Sequence, residues 1–311
     1  MSLSLFAIWR SLCVAAVRVK WRNGLKFGGW LMSVDISAQL IQATVQVEQA
    51  LPDGSHIIGT GFLVSDPTAD GNPRTVLVTA NHVLNRMTGP EAHIGYRLRG
   101  KDGGWRYDPR PIAIRSKTAE LWSHNPNRDV AAIVVKAPAE FAKSAIPLDW
   151  LAGGDTFAKY DIGPGDEMMV LGYPQGLSAD SAGFPILRSG RVASPIDAPS
   201  ASPTFLLDFR VFPGNSGGPV FISQVDRHRP GTDQAESVQF VAGMLTQQVE
   251  LNDERLEIGI VTDATFIRDA IALLDKPKSH GVPAPDAPAA NPDIPVTVTD
   301  AAANVGTAVG D

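Results

Sequence analysis

The chain has 311 residues, 44% of them hydrophobic and 19% charged, with a net charge of −6 and a pI near 5.5. That balance suits one large or two medium globular domains and gives no general attraction to nucleic acid. A single cysteine, Cys13, excludes an internal disulfide framework and a cysteine-based metal site. The 29 glycines and 24 prolines favour many turns and short strands.

Residues 1–33 read as an N-terminal extension. Leu3 to Val17 is apolar but broken by Arg10, and Arg18, Lys20, Arg22 and Lys26 follow. A secretory signal carries its positive charge ahead of the apolar run, not inside and after it. The run is also too short for a transmembrane helix. Three readings stay open: a poor signal or membrane-surface segment with weak membrane association, an unstructured extension, or an upstream start with Met32 as the true first residue.

From Val34 the pattern is that of strands. Leu40 to Gln49 alternates apolar and polar residues, as a half-buried strand does. Leu51-Pro52-Asp53-Gly54 signals a turn, and Ile57 to Val64 resumes a strand. Asp66, Asp70 and Asn72 fall in a polar loop. With no glutamate at the later position a calcium loop needs, a plain turn is expected there. Thr75 to Thr79 is a strong strand that runs into Ala80-Asn81-His82-Val83, which sets a histidine just past a buried strand. Strand-like pieces follow at 93–98, 105–107 and 112–115. Asp129 then opens the apolar run Val130 to Val135.

A connection rich in glycine and proline spans about 137–165, and further strands are expected at 168–172, 186–193, 205–209, 220–223, 237–248 and 256–261. Ile267, Ala270, Ile271 and Leu274 return to helical spacing, with Thr262 or Asp263 available as N-cap. Residues 277–311 are rich in alanine and proline, lack aromatic residues, and read as a disordered tail. The division expected is therefore 1–33, a first β unit 34–150, a second β unit with a helix 151–276, and the tail 277–311.

One stretch carries chemistry. Phe212-Pro213-Gly214-Asn215-Ser216-Gly217-Gly218-Pro219 surrounds a serine with residues that forbid a regular helix or central strand. Glycine lets the backbone turn amides inward, and two amides aimed at one point stabilise a developing oxyanion. Serine alone is a weak nucleophile and needs a base with an orienting partner. His82 supplies a base near neutral pH, and Asp129 supplies a carboxylate to hold its tautomer. The order His, Asp, Ser is one of the known orders for such a triad. Asp108 and Asp149 are the alternative carboxylates, but neither precedes an apolar run of this kind. His56, His93, His124, His228 and His280 lack a comparable setting and read as surface residues.

Four blocks now stand in order: Gly59 to Val64, Thr79 to Val83, Asn127 to Ala131 and Gly214 to Pro219. In them the chain resembles the trypsin-like, chymotrypsin-fold serine proteases, with a pattern near the bacterial HtrA/Deg and glutamyl-endopeptidase groups. The resemblance spans roughly 40–275. It implies an all-β fold of two antiparallel six-stranded β-barrels, an active site in the crevice between them, and a C-terminal helix. It implies a serine endopeptidase acting on protein or peptide substrates, without metal or cofactor. Carried onto this sequence, it makes Ser216 the nucleophile, His82 the base and Asp129 the orienting carboxylate, with the amides of Gly214 and Ser216 as the oxyanion hole. Arg210 would stand at the floor of the primary specificity pocket. The alternative is that it ends a strand and faces solvent, or pairs with Asp208 or another carboxylate. Gly243, Met244 and Leu245, running into Thr246, would form the pocket wall and pair with substrate backbone.

Departures from the family are also legible. Asn215 stands where digestive members carry the aspartate that pairs with a newly cut N-terminal amine, so activity without N-terminal cleavage is expected. The HtrA pattern continues into a PDZ domain, whereas here the alanine- and proline-rich tail follows, so PDZ-driven regulation is not expected. Family habit favours the periplasm or the cell exterior, and the irregular N-terminus leaves the cytoplasm open. Two rivals remain. A silent binding module would have no use for all three triad residues. An α/β-hydrolase esterase would need its histidine after the serine and helices between parallel strands.

Overall fold

The computed structural model describes residues 35–68, 71–196, 202–228, 235–251, 254–276, 297–300 and 303–305. The 1–33 extension, Asp70 of the polar loop, His280 and most of the expected tail lie outside them.

Asp35 opens the described chain by capping a helix, α1 (Ile36–Ala43), where its side chain accepts from the Ser37 amide. Leu40 to Ala43 is thus helical, not the start of a strand. Ile36, Leu40 and Ala43 recur at helical spacing and are all buried. That stripe fits the sequence as well as the alternation did, and burial of the whole stripe selects the helix.

The first sheet has six principal strands: β1 (Thr44–Ala50), β2 (His56–Asp66), β3 (Arg74–Thr79), β4 (Glu91–Arg99), β5 (Trp105–Ala113) and β7 (Ala131–Val134). Two short pieces, β6 (Ser123–His124) and β8 (Ile146–Pro147), extend it. The order is β5-β4-β1-β2-β3-β7-β6, antiparallel throughout, with β8 joining β2 in parallel. Between β3 and β4 lies a short helix, α2 (Asn81–Arg86). Two more, α3 (Ala139–Ala142) and α4 (Thr156–Lys159), fall in the connection to the second sheet.

That second sheet also has six principal strands: β9 (Glu167–Gly172), β10 (Ile186–Val192), β11 (Thr204–Asp208), β12 (Pro219–His228), β13 (Ala235–Leu251) and β14 (Glu254–Asp263). Pairing runs β12-β9-β10-β11-β14-β13, and β13 pairs with β12 in turn, so the ladder returns on itself. Helix α5 (Ala264–Ala272) follows, with Asp263 as N-cap, accepting from the Thr265 amide. Buried Ala264, Ile267, Ala270 and Ile271 form its apolar face, and Ala270 O accepts from Ser123 of the first sheet. A two-sheet, mostly β architecture with a C-terminal helix is what the sequence led one to expect.

The tail differs in part from its expected disorder. Two short strands, β15 (Thr297–Asp300) and β16 (Ala303–Val305), pair antiparallel with β13 and β2 respectively.

The two sheets are tied by buried polar contacts as well as by apolar packing. Arg97 of β4 is almost fully buried. It donates to Tyr173 Oη and Gly183 O at 3.0 Å, and to Gln42 O and Thr44 O at 2.8 and 2.7 Å. Its guanidinium lies over the rings of Phe141 and Phe184. Burial lowers the Arg97 pKa, and burial pushes Tyr173 up to about 12. Dense hydrogen bonding is what a buried charge requires.

Candidate active site

Strand pairing inside the first sheet brings His82 to Asp129. Thr79, the last residue of β3, pairs with Ala131, the first of β7. His82 lies three residues past one end and Asp129 two before the other, so register alone sets them side by side. The His82 Nδ1 to Asp129 Oδ2 distance is 2.6 Å, and the His82 backbone amide donates to Asp129 Oδ1 at 2.9 Å. One carboxylate thus holds both the ring and the main chain of the same histidine. Asn81, beside it, accepts from Trp122 Nε1 at 2.9 Å, which fixes the start of α2.

Ser216 lies in the turn that enters β12, and it is buried. Its neighbours need glycine. Gly214 has φ +91°, and a Cβ there would meet Tyr173 O at 2.3 Å. Gly217 has φ +89°, and its Cβ would meet Thr60 O at 1.9 Å. Among the described residues, neither the Gly214 nor the Ser216 amide donates to another backbone carbonyl. The Pro213 carbonyl is held away from them by the Gln175 amide at 2.6 Å.

Thr60, between the two glycines of β2, clamps this turn from the first sheet. Its amide donates to Ser216 O at 2.8 Å, and its hydroxyl donates to Gly214 O at 2.7 Å while accepting from the Tyr173 amide at 3.1 Å. Thr60 O in turn accepts from Thr79 Oγ1 at 2.7 Å, at the strand end that leads to His82. On the other side, Ser216 Oγ donates to Thr246 O at 3.0 Å. The sequence placed Thr60 within an informative block without giving it a role, and it placed Thr246 at the end of the expected pocket wall rather than against Ser216. A polar, β-branched residue between two glycines of an apolar strand was the available signal for Thr60.

The specificity residues sit differently from the triad candidates. Arg210 is 62% exposed, and its Nε lies 3.2 Å from Glu257. An arginine so open and already paired does not line a buried pocket floor; it faces solvent and meets a carboxylate. Gly243, Met244 and Leu245 are occupied on both edges, by β14 and by the Gly217–Val220 segment. No backbone edge is left there for a peptide. Beyond Thr246 that edge of β13 passes to β15, which pairs with Gln247 to Glu250. Asn215 is buried, and its Nδ2 has no hydrogen-bond partner among the described residues.

Comparison with known proteins gives the family of the chain. Residues 59–225 match the family model of the trypsin-like peptidase domain. The chain belongs to that family and is a serine peptidase acting on peptide or protein substrates. Among solved structures it is similar to the Rv3671c protease of M. tuberculosis in its active form, at 19% identity over 79% of this chain and 86% of that one, TM-score 0.47. It is also similar to AL20, a thermostable serine protease from an extremophilic microorganism, at 13% identity over 74% and 94%, TM-score 0.40. No curated protein matches the chain. The parallel sheet with interleaved helices that an α/β-hydrolase needs is absent among the described residues, which removes the esterase reading.

Proposed function

We propose that the protein is a serine endopeptidase working through His82, Asp129 and Ser216, with the amides of Gly214 and Ser216 as oxyanion hole. The observation that carries this is the Asp129 carboxylate spanning the Nδ1 and the backbone amide of His82. A carboxylate on Nδ1 leaves Nε2 as the basic nitrogen, the tautomer that proton abstraction from serine requires. Ser216 Oγ exchanges the Thr246 carbonyl for His82 Nε2 and attacks the substrate carbonyl as its proton passes to the ring. The oxyanion is received by two amides that no carbonyl claims. Each such donor contributes about 10²–10³ in rate. The imidazolium returns the proton to the leaving amine, and water then releases the acyl-enzyme by the same steps in reverse roles. The reading includes a division of the chain near residue 150 into the two β units that bear His82 with Asp129 and Ser216.

Asn215 carries no charge, so assembly of the turn needs no ion pair with a freed N-terminal amine. The test is labelling with a fluorophosphonate. The untrimmed chain is expected to label and to hydrolyse casein, and Ser216→Ala to do neither. An untrimmed chain that stays unlabelled, or a variant that labels equally, defeats the proposal.

A further inference from the structure

The turn that carries Gly214 rests on a second turn, Tyr173 to Gly176, between β9 and β10. The first sheet grips this second turn at both ends. Gln46 of β1 and Thr60 of β2 stand directly opposite each other in the antiparallel pair, so their side chains leave the sheet on the same face. Thr60 Oγ1 accepts from the Tyr173 amide at 3.1 Å. Gln46 Nε2 donates to Gly176 O at 3.1 Å. The side-chain amide of Gln46 is itself oriented, since its Oε1 accepts from Tyr107 Oη of β5 at 3.2 Å. Gly176 also lies close on β2, where a Cβ would meet Ile58 Cδ1 at 2.8 Å.

What this grip holds is a rare backbone conformation. Gln175 has φ 53° and ψ 27°, and Gly176 has φ +77°. Glutamine seldom takes the left-handed region and keeps it only where the surroundings impose it. The Gln175 side chain is exposed, so the constraint reaches it through the main chain. Its amide donates to Pro213 O at 2.6 Å.

That bond selects one of two faces of the Pro213–Gly214 peptide. The carbonyl and the amide of a trans peptide point in opposite directions. With Pro213 O turned to Gln175, the Gly214 amide points to the other side, where no backbone carbonyl claims it among the described residues. Gly214, at φ +91° and without a side chain, lets this plane turn over. Turned over, the plane would present an oxygen where a substrate oxyanion is to be received.

We propose that Gln46 is a positioning residue of the oxyanion hole. By holding Gly176 O it keeps Gln175 left-handed and the Gln175 amide on Pro213, and so keeps the Gly214 amide facing the substrate. It touches neither substrate nor triad and acts through the turn alone. The proposal rests on the serine peptidase reading above. The hole binds charge that develops only as the carbonyl is attacked, so loss of the Gln46 bond lowers kcat and spares KM.

Two variants test this, with casein turnover, fluorophosphonate labelling and thermal melting measured on each. Gln46→Leu removes both hydrogen bonds at similar volume. Its kcat is expected to fall about 10–10²-fold, below the ~10²–10³ that a whole lost donor costs, with KM within about a factor of three. Labelling should slow by the same factor as kcat, because the phosphoryl oxygen uses the same hole. Gln46→Glu keeps the length and the acceptor for Tyr107 but has no proton for Gly176 O at neutral pH, so it should lose as much. It carries the test alone if Gln46→Leu does not fold. Wild-type kcat in either folded variant, or a loss carried by KM, overturns the proposal and leaves the peptidase reading intact. Wild-type protein that neither labels nor cleaves casein removes both readings together.

Discussion

The halves of the site are assembled by different means. His82 and Asp129 come from neighbouring strand ends of a single sheet, and a strand register places them. Ser216 comes from an irregular turn held from the first sheet by Thr60 and from its own half of the chain by the Tyr173–Gln175 stretch and by Leu245 and Thr246 of β13. The first arrangement is as secure as the ladder that carries it. The second is as secure as the few hydrogen bonds that hold the turn, those of Thr60 across the contact between sheets among them. A turn built from glycines with positive φ gains little from its own backbone preferences, so it depends on such outside ties. The expected consequence is that damage to the first half acts through chemistry, and damage to the second through geometry.

The largest separation should come from Asp129→Asn. It keeps the shape of the side chain but favours the wrong tautomer of His82, and kcat is expected to fall about 10⁴-fold with the fold intact by circular dichroism. A loss under about tenfold would mean that another group orients His82. Next comes Thr60→Val, which keeps volume but removes the hydroxyl that joins Gly214 to Tyr173. A shift of the oxyanion turn should lower kcat by about 10–10² with little change in KM, and Thr60→Ser should recover most of it. Equal loss in Thr60→Ser, or loss confined to KM, would break the claim that the turn is positioned from the first sheet. The smallest effect is expected of Arg210→Ala. Its exposed pairing with Glu257 contributes within about 0.5 kcal/mol to stability. The ratio of kcat/KM for acidic over apolar peptides should stay within about a factor of three, as the loss of a solvent-facing charge implies. A collapse of acidic-peptide cleavage alone would return Arg210 to the substrate pocket.

Much of the candidate site was legible because its residues announce themselves locally. His82 follows a strong apolar strand, Asp129 precedes one, and Ser216 sits among glycines that no regular element accepts. The strand α1 replaced was misread because Ile36, Leu40 and Ala43 obey a helical period while Leu40 to Gln49 alternates. Only the buried stripe decides between them. Gly243 to Leu245 was expected to receive substrate, yet its edges are already taken by β14 and by Gly217 to Val220. Edge occupancy is a property of the assembled sheet and leaves no trace in the segment itself. The low-complexity tail hid two strands for a related reason. Thr297 to Asp300 and Ala303 to Val305 have no core of their own to bury, and they become strands by borrowing open edges on β13 and β2.

By itself, then, the sequence determined the β-rich class, the helix after Asp263, and the glycine-framed turn around Ser216. Alternation, capping and forbidden backbone angles are local and act wherever the residues occur. Tertiary structure decided what those parts touch. The bond of Asp129 to His82, the clamp of Thr60 on Gly214 and Ser216, the solvent-facing pair of Arg210 with Glu257, and the pairing of β15 with β13 and of β16 with β2 join residues far apart in the chain. Their partners are fixed by register and by which edges remain open after the sheets have formed.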